Sequence, residues 1–248
     1  MKTLSSLFLV LLLTACGSDS AGPNAKLKPK AQSLTLEESK KLTTPTVYYI
    51  PQYDQTSLAC AETVDMKAKD GKLIVKVCKE IYSSCVLQGT CQIKKLEQKM
   101  LINVGSKVNG ERRFTIVKTS DCKYGRGAVK DHAQSFKTMC LDPYYSVAAD
   151  LSIYKLGDVI FIPSFVGMRL PNGEIHDGHF IVRDTGGSID GYGRFDFFSG
   201  FDSPKNKMNP LNQVEFVDKN THVPYYLVTG PKAEEILEMR NFPELPVQ

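Results

Sequence analysis

The chain of 248 residues carries 31 Lys and Arg against 27 Asp and Glu, a net charge of +4, with seven cysteines and no tryptophan. The positive charge is mild and spread along the chain rather than gathered in a basic stripe, so nucleic acid is excluded as a partner, while an anionic cell-wall polymer is compatible. The length suits one good hydrophobic core or two small ones.

Met1-Lys2 followed by the apolar run Leu7–Leu13 and small residues up to Cys16 reads as an export signal. The run is too short to span a bilayer. Leu13-Thr14-Ala15-Cys16 resembles the bacterial lipobox, and that resemblance implies cleavage before Cys16, a diacylglyceryl group on its sulfur and a membrane partner through that lipid. An ordinary signal peptide with a coincidental cysteine is the alternative. Gly17, rather than an aspartate, follows Cys16; by the sorting rule of enteric bacteria this implies the outer membrane, facing periplasm or cell surface. Residues 17–45, rich in Ser, Lys, Pro, Gly and Thr, read as a flexible tether, with helical spacing only at Leu34–Leu42.

The folded part is expected over residues 46–232. Short apolar and β-branched runs recur at Thr46–Ile50, Lys72–Cys78, Met100–Val104, Phe114–Val117, Val159–Pro163, His179–Val182, Arg194–Phe198, Gln213–Val217 and Tyr225–Val228. Turn signals at Lys69-Asp70-Gly71, Asn109-Gly110, Pro171-Asn172-Gly173 and Asp190-Gly191 separate them. This is a mainly β pattern that closes naturally as a barrel or sandwich. A short helix is expected over Pro231–Arg240, within or before a C-terminal tail at 233–248, because a proline opens its first turn.

Six cysteines remain after Cys16: Cys60, Cys78, Cys85, Cys91, Cys122 and Cys140. An even number in an exported chain predicts three disulfides, with fifteen complete pairings open. Cys78, Cys85 and Cys91 should staple an irregular N-terminal extension, and Cys122 with Cys140 would close another loop. The spacing lacks the close pairs of a zinc site, and no metal or cofactor is expected.

Chemistry concentrates in Val147–Gly200. Asp150 precedes Leu156-Gly157 and a strand; Asp184 ends a strand and enters Thr185-Gly186-Gly187, a turn suited to glycine. Asp196 lies in Arg194-Phe195-Asp196-Phe197-Phe198, where period-two alternation sets Phe195 and Phe197 on one side and Asp196 with Phe198 on the other. A desolvated carboxyl with an acidic neighbour holds its proton near neutrality, as protonation of a glycosidic oxygen requires. Taken singly, each aspartate could equally cap a turn or pair with an arginine.

Asp184-Thr185-Gly186-Gly187-Ser188-Ile189-Asp190-Gly191, with Asp150 before Leu156-Gly157 and Asp196 before Gly200, resembles the three-aspartate (3D) domain of the membrane-bound lytic transglycosylase A family. The resemblance is close over about 55 residues and looser from Tyr124-Gly125, so the core is placed at about 122–200. It implies a double-psi β-barrel, a cleft for peptidoglycan glycan strands, and cleavage between N-acetylmuramic acid and N-acetylglucosamine with a 1,6-anhydro product. Asp196 is taken as the acid/base, with Asp184 and Asp150 tuning it; Asp184 and Asp196 can exchange roles. Thr185, Gly186, Gly187 and Arg194 are candidate substrate contacts. His176 and His179 are candidate sugar contacts in a loop over the cleft, or less readily a metal pair. Arg183 and Arg194 are candidate partners for the acids. Asp190 stands where the family has lysine, and Gly193 adds one residue before Asp196, expected as a bulge.

A single Asp-Thr-Gly would require an aspartic protease to be a homodimer, which the second glycine argues against. A non-catalytic glycan-binding lipoprotein on the same barrel, and a disulfide-stapled adhesive surface protein, are the other readings.

Overall fold

The computed structural model describes residues 40–118, 122–127, 139–212 and 223–246. The export signal, Cys16, most of the tether and the expected strand Gln213–Val217 lie outside the described residues.

In chain order the strands are β1 Lys40–Lys41, β2 Thr46–Tyr48, β3 Gln52–Asp54, β4 Thr63–Lys67, β5 Leu73–Cys78, β6 Thr90–Lys95, β7 Gln98–Val108 and β8 Glu111–Val117, then β9 Ser146–Ala148, β10 Val159–Phe161, β11 His179–Asp184, β12 Asp196–Phe198 and β13 Pro224–Val228. Helix α1 spans Lys79–Gln88 and α2 spans Pro231–Met239. None of the described helices is long and apolar enough to cross a membrane.

The turn signals act where the sequence places them. Asn109 and Gly110 both take positive φ (51° and 80°), the backbone a two-residue hairpin needs, and join β7 to β8. Gly71, at φ 85°, turns β4 into β5. These hairpins, with β3 and β6, form a lobe of two sheets: one ordered β3-β6-β7-β8, the other β4-β5. Met66, Val77, Ile93, Ile102 and Phe114 make its core.

Helix α1 was not expected. Its Lys-Glu-Ile-Tyr-Ser-Ser-Cys-Val-Leu-Gln sequence has no clear apolar stripe, and β-branched and Ser residues weaken intrinsic helicity. Tertiary ties hold it instead. Gly89 ends it in the left-handed region, and Cys85 is bonded to Cys91 on β6. Cys60–Cys78 and Cys122–Cys140 complete three disulfides, so all six cysteines pair and the 122–140 loop closes as expected.

The second body is a seven-stranded mixed sheet ordered β1-β13-β10-β11-β9-β12-β2. Phe165, Phe180, Val182, Phe195, Phe197 and Tyr225 pack beneath it in the largest core cluster. Burying each such aromatic stabilises the fold by roughly 1.5–3 kcal/mol. Ile50, Leu101, Val117, Leu141 and Phe198 form a joint between lobe and sheet. The fold begins earlier than residue 46: Lys40–Lys41 pair with β13 rather than continuing a helix, and Leu42 is buried with its amide donating to the Val223 carbonyl.

Candidate active site in the mixed sheet

The central strand β9 is only three residues long, and its alternation sets the site. Val147 points into the core, while Ala148 faces the other way. β11 runs parallel to β9 and β12 antiparallel, and both place an aspartate opposite Ala148: Asp184 on one side, Asp196 on the other. Their Cα atoms are thus two strand spacings apart, about 10 Å. A β-bulge makes this possible. Val182 pairs with Val147 and Asp184 with Ala148, so Arg183 is the extra residue that advances Asp184 into line.

The far edge of the site comes from β2, which runs parallel to β12 with Thr46 opposite Asp196 and Tyr48 opposite Phe198. The Thr46 hydroxyl donates to Asp196 Oδ1 at 2.7 Å, and Arg194 Nη1 donates to Thr46 Oγ1 at 3.0 Å. Tyr48 leans over Phe198 (centroids 5.0 Å apart), and its hydroxyl donates to Asp184 Oδ2 at 2.9 Å. Asp184 Oδ1 accepts from the Thr185 amide at 2.8 Å. Both Asp184 oxygens therefore accept hydrogen bonds.

Electrostatics separate the acids. Burial pushes Asp196 above the usual carboxylate range, opposed by the Thr46 hydrogen bond and the Arg194 charge. Burial, followed by the Asp184 charge and hydrogen bond, holds the Tyr48 phenol far above its ordinary value, so it stays a donor. Asp150 behaves oppositely. Burial would raise it, but the Gly191 amide (2.9 Å), the Ser152 hydroxyl (2.7 Å) and the Ser152 amide (2.9 Å) outweigh burial and hold it ionised. It anchors the turn that leads from Asp184 toward Asp196, two residues beyond Ala148, with Asp190 in hydrogen-bonding reach.

Residues 145–209 match the 3D domain. That span holds all three aspartates. The chain carries a 3D domain. No curated protein sequence matches the chain. Among solved structures it is similar to Escherichia coli MltA with bound chitohexaose (13% identity, TM-score 0.41, 63% of this chain and 64% of that one, thus just under two thirds of its length). It is also similar to a membrane-bound lytic murein transglycosylase from Agrobacterium tumefaciens (13%, 0.46, 77% and 75%) and to LtgG of Burkholderia pseudomallei (17%, 0.36, 63% and 64%).

Within the 3D domain several expected contacts are placed otherwise. His176 is fully buried: Nε2 meets the Tyr144 carbonyl at 2.8 Å, Nδ1 accepts from the Gly178 amide at 2.8 Å, and the ring stacks on Tyr145. Burial pushes its pKa down to about 4, so it is a neutral core residue with no nitrogen for sugar or metal. His179 opens β11 and contacts Asp177 Oδ2 at 3.0 Å. It lies five residues from Asp184, about 16 Å along the strand, outside the site.

Arg183 is also structural. Fully buried, it donates to the carbonyls of Cys140 (3.0 Å), Pro243 (3.0 Å), Glu244 (2.7 Å) and Arg240 (3.1 Å), clamping the C-terminal segment to β11. Gly127 passes so close that a Cβ there would run into the Arg183 carbonyl.

Gly186 and Gly187, in the turn after Asp184, do not take a left-handed backbone. A Cβ on Gly186 would press on Ile189 at 3.0 Å, and Gly187 leaves open surface beside buried Thr185. Gly193 sits in a turn before β12 rather than in a bulge, at φ 69°, with its amide donating to the Tyr154 hydroxyl at 3.0 Å and the Lys41 carbonyl against its α-carbon. Thr46 and Tyr48 are the functional candidates that sequence reading missed. The one available signal was parity: in a parallel pair, residues two apart share a face.

Proposed function

We propose that the chain is a peptidoglycan lytic transglycosylase-like lipoprotein that cleaves the bond between N-acetylmuramic acid and N-acetylglucosamine and leaves a 1,6-anhydro product. The observation that carries this reading is the Asp196 carboxyl, raised by burial, with one oxygen engaged by Thr46, on a sheet it shares with Asp184. Asp196 donates its proton to the glycosidic oxygen as that bond breaks. The resulting carboxylate takes the proton of the muramyl 6-hydroxyl as its oxygen attacks C1, so one group serves as acid and then as base and water is not consumed. Both Asp184 oxygens accept a hydrogen bond, from the Tyr48 hydroxyl and the Thr185 amide, and donors of that kind favour the ionised carboxylate over the acid. It orients sugar hydroxyls and supplies negative charge near the developing oxocarbenium ion. Asp150 holds the Asp184–Gly191 turn in place.

In the same reading the seven-stranded sheet is the double-psi β-barrel implied by the 3D resemblance, residues 1–16 are the signal ending at lipidated Cys16, and the outer membrane is the site of anchoring. The chain from residue 22, incubated with purified sacculi and analysed by mass spectrometry, tests it. Anhydromuropeptides are the expected product; reducing-end sugars point to hydrolysis instead. A second reading, a non-catalytic glycan-binding lipoprotein, is favoured by Asp190, an acid beside Asp150 where the family carries lysine. Retention on sacculi without release of any sugar would select it.

A further inference from the structure

We infer that the disulfide-stapled lobe carries an oxyanion site for a phosphate ester of a small sugar, built around Lys107 and Arg112. The register of the β7–β8 hairpin sets Lys107 directly opposite Arg112. Like charges facing each other across a strand pair destabilise it, and an acid at either position would remove that cost. The neighbouring cations do not relieve it. Arg113 Nη1 is bound to Glu111 at 2.7 Å, Lys67 approaches the same carboxylate at 3.7 Å, and Lys76 holds Asp65 at 2.6 Å. Both acids lining the cavity are thereby engaged. Among the described residues no carboxylate is left for Lys107 or Arg112, whose one recorded bond is from Nη1 to the Gly105 carbonyl at 3.2 Å. Arg113 Nε, buried in the same wall, has no hydrogen-bond partner among the described residues.

These groups line one cavity of about 610 Å³, bounded also by Tyr82 and Val86 of α1. That is the size of small-molecule sites and room for a phosphorylated monosaccharide. Five cations against two engaged carboxylates leave a surplus that a single carboxylate ligand would barely offset. A phosphate ester, with a charge of about −1.5 to −2 at neutral pH and three acceptor oxygens, matches several converging N–H donors. The walls are rigid: Cys60–Cys78 ties the end of β5, and Cys85–Cys91 ties α1 to β6.

Calorimetric titration of the full chain in detergent with glucose 6-phosphate, glucose and acetate, at matched ionic strength, tests this. Glucose 6-phosphate should bind at least tenfold more tightly than either control. A Lys107→Gln/Arg112→Gln protein should lose at least tenfold affinity while its Tm holds or rises, because the opposed charges are gone. Lys107→Gln alone, at an exposed position, gives the same direction should the double variant fold poorly. Competition by a phosphorylated glycan supports a polymer-borne group as the ligand, and displacement by the free sugar phosphate alone supports a small molecule. Equal binding of glucose and its phosphate, unchanged affinity in the variants, or no heat at millimolar ligand overturns the assignment.

Discussion

Asp184 and Asp196 are both paired to Ala148, one through a parallel ladder and one through an antiparallel ladder, so a single small residue separates the two acids. The arrangement follows from strand connectivity and one bulge, not from nearness in the chain. The two carboxyls sit in different surroundings, since Asp184 accepts two hydrogen bonds and Asp196 is the carboxyl that burial raises. Four predictions follow from this arrangement and the ties around it.

Asp196→Asn should remove product formation by about 10²–10⁴-fold, since an amide cannot donate the proton. It should not harm the fold. The Asp196 pKa is raised on folding, so ionisation costs stability above that pKa and costs nothing below the unfolded value. The Asn protein should therefore melt higher than the parent at pH 8, and the difference should shrink as the pH falls toward the ordinary carboxylate range. Melting curves across pH check it; a gap that widens in acid contradicts the assignment.

Thr46→Val deletes the hydroxyl that holds Asp196 down, so the pKa should rise further. The alkaline limb of the activity profile should move to higher pH, with Thr46→Ser restoring it. A uniform loss at every pH, without a shifted limb, would make Thr46 a packing residue only.

Arg183→Met takes a charged donor from four carbonyls, of which Pro243 keeps the Cys140 amide at 3.1 Å. A roughly 3–5 kcal/mol loss is expected, because buried acceptors stripped of a charged donor are costly. Arg183→Lys should recover little, since an ammonium cannot reproduce the planar fork. Hydrogen exchange should show the amides of 240–245 losing protection first.

Cys122→Ser/Cys140→Ser opens a loop with a sequence separation of 18 and should cost about 3 kcal/mol. Because the Cys140 carbonyl is one of the Arg183 acceptors, the loss should be less than additive with Arg183→Met. A double-mutant cycle measures the coupling.

Much of this was legible beforehand. The strands at 46, 73, 100, 114, 159, 179, 196 and 225 announce themselves by β-branched runs and glycine turns, and Phe195 and Phe197 do face the core opposite Asp196 and Phe198. What escaped was set by tertiary context. β9 is three small residues that become a strand because β11 and β12 flank them, and α1 has no stripe to read. His176 illustrates the opposite error: a polar ring in a glycine-rich stretch looks exposed, but two backbone groups satisfy it and aromatic rings enclose it.

β2 adds a constraint on how the molecule can be divided. It closes the outer side of β12 and brings Thr46 and Tyr48 from far upstream of the matched stretch. Excising residues 145–209 would leave β12 with a bare edge and Asp196 and Asp184 each short of a hydroxyl donor. The recognisable motif is thus only part of the folded unit that gives both carboxyls their hydroxyl partners.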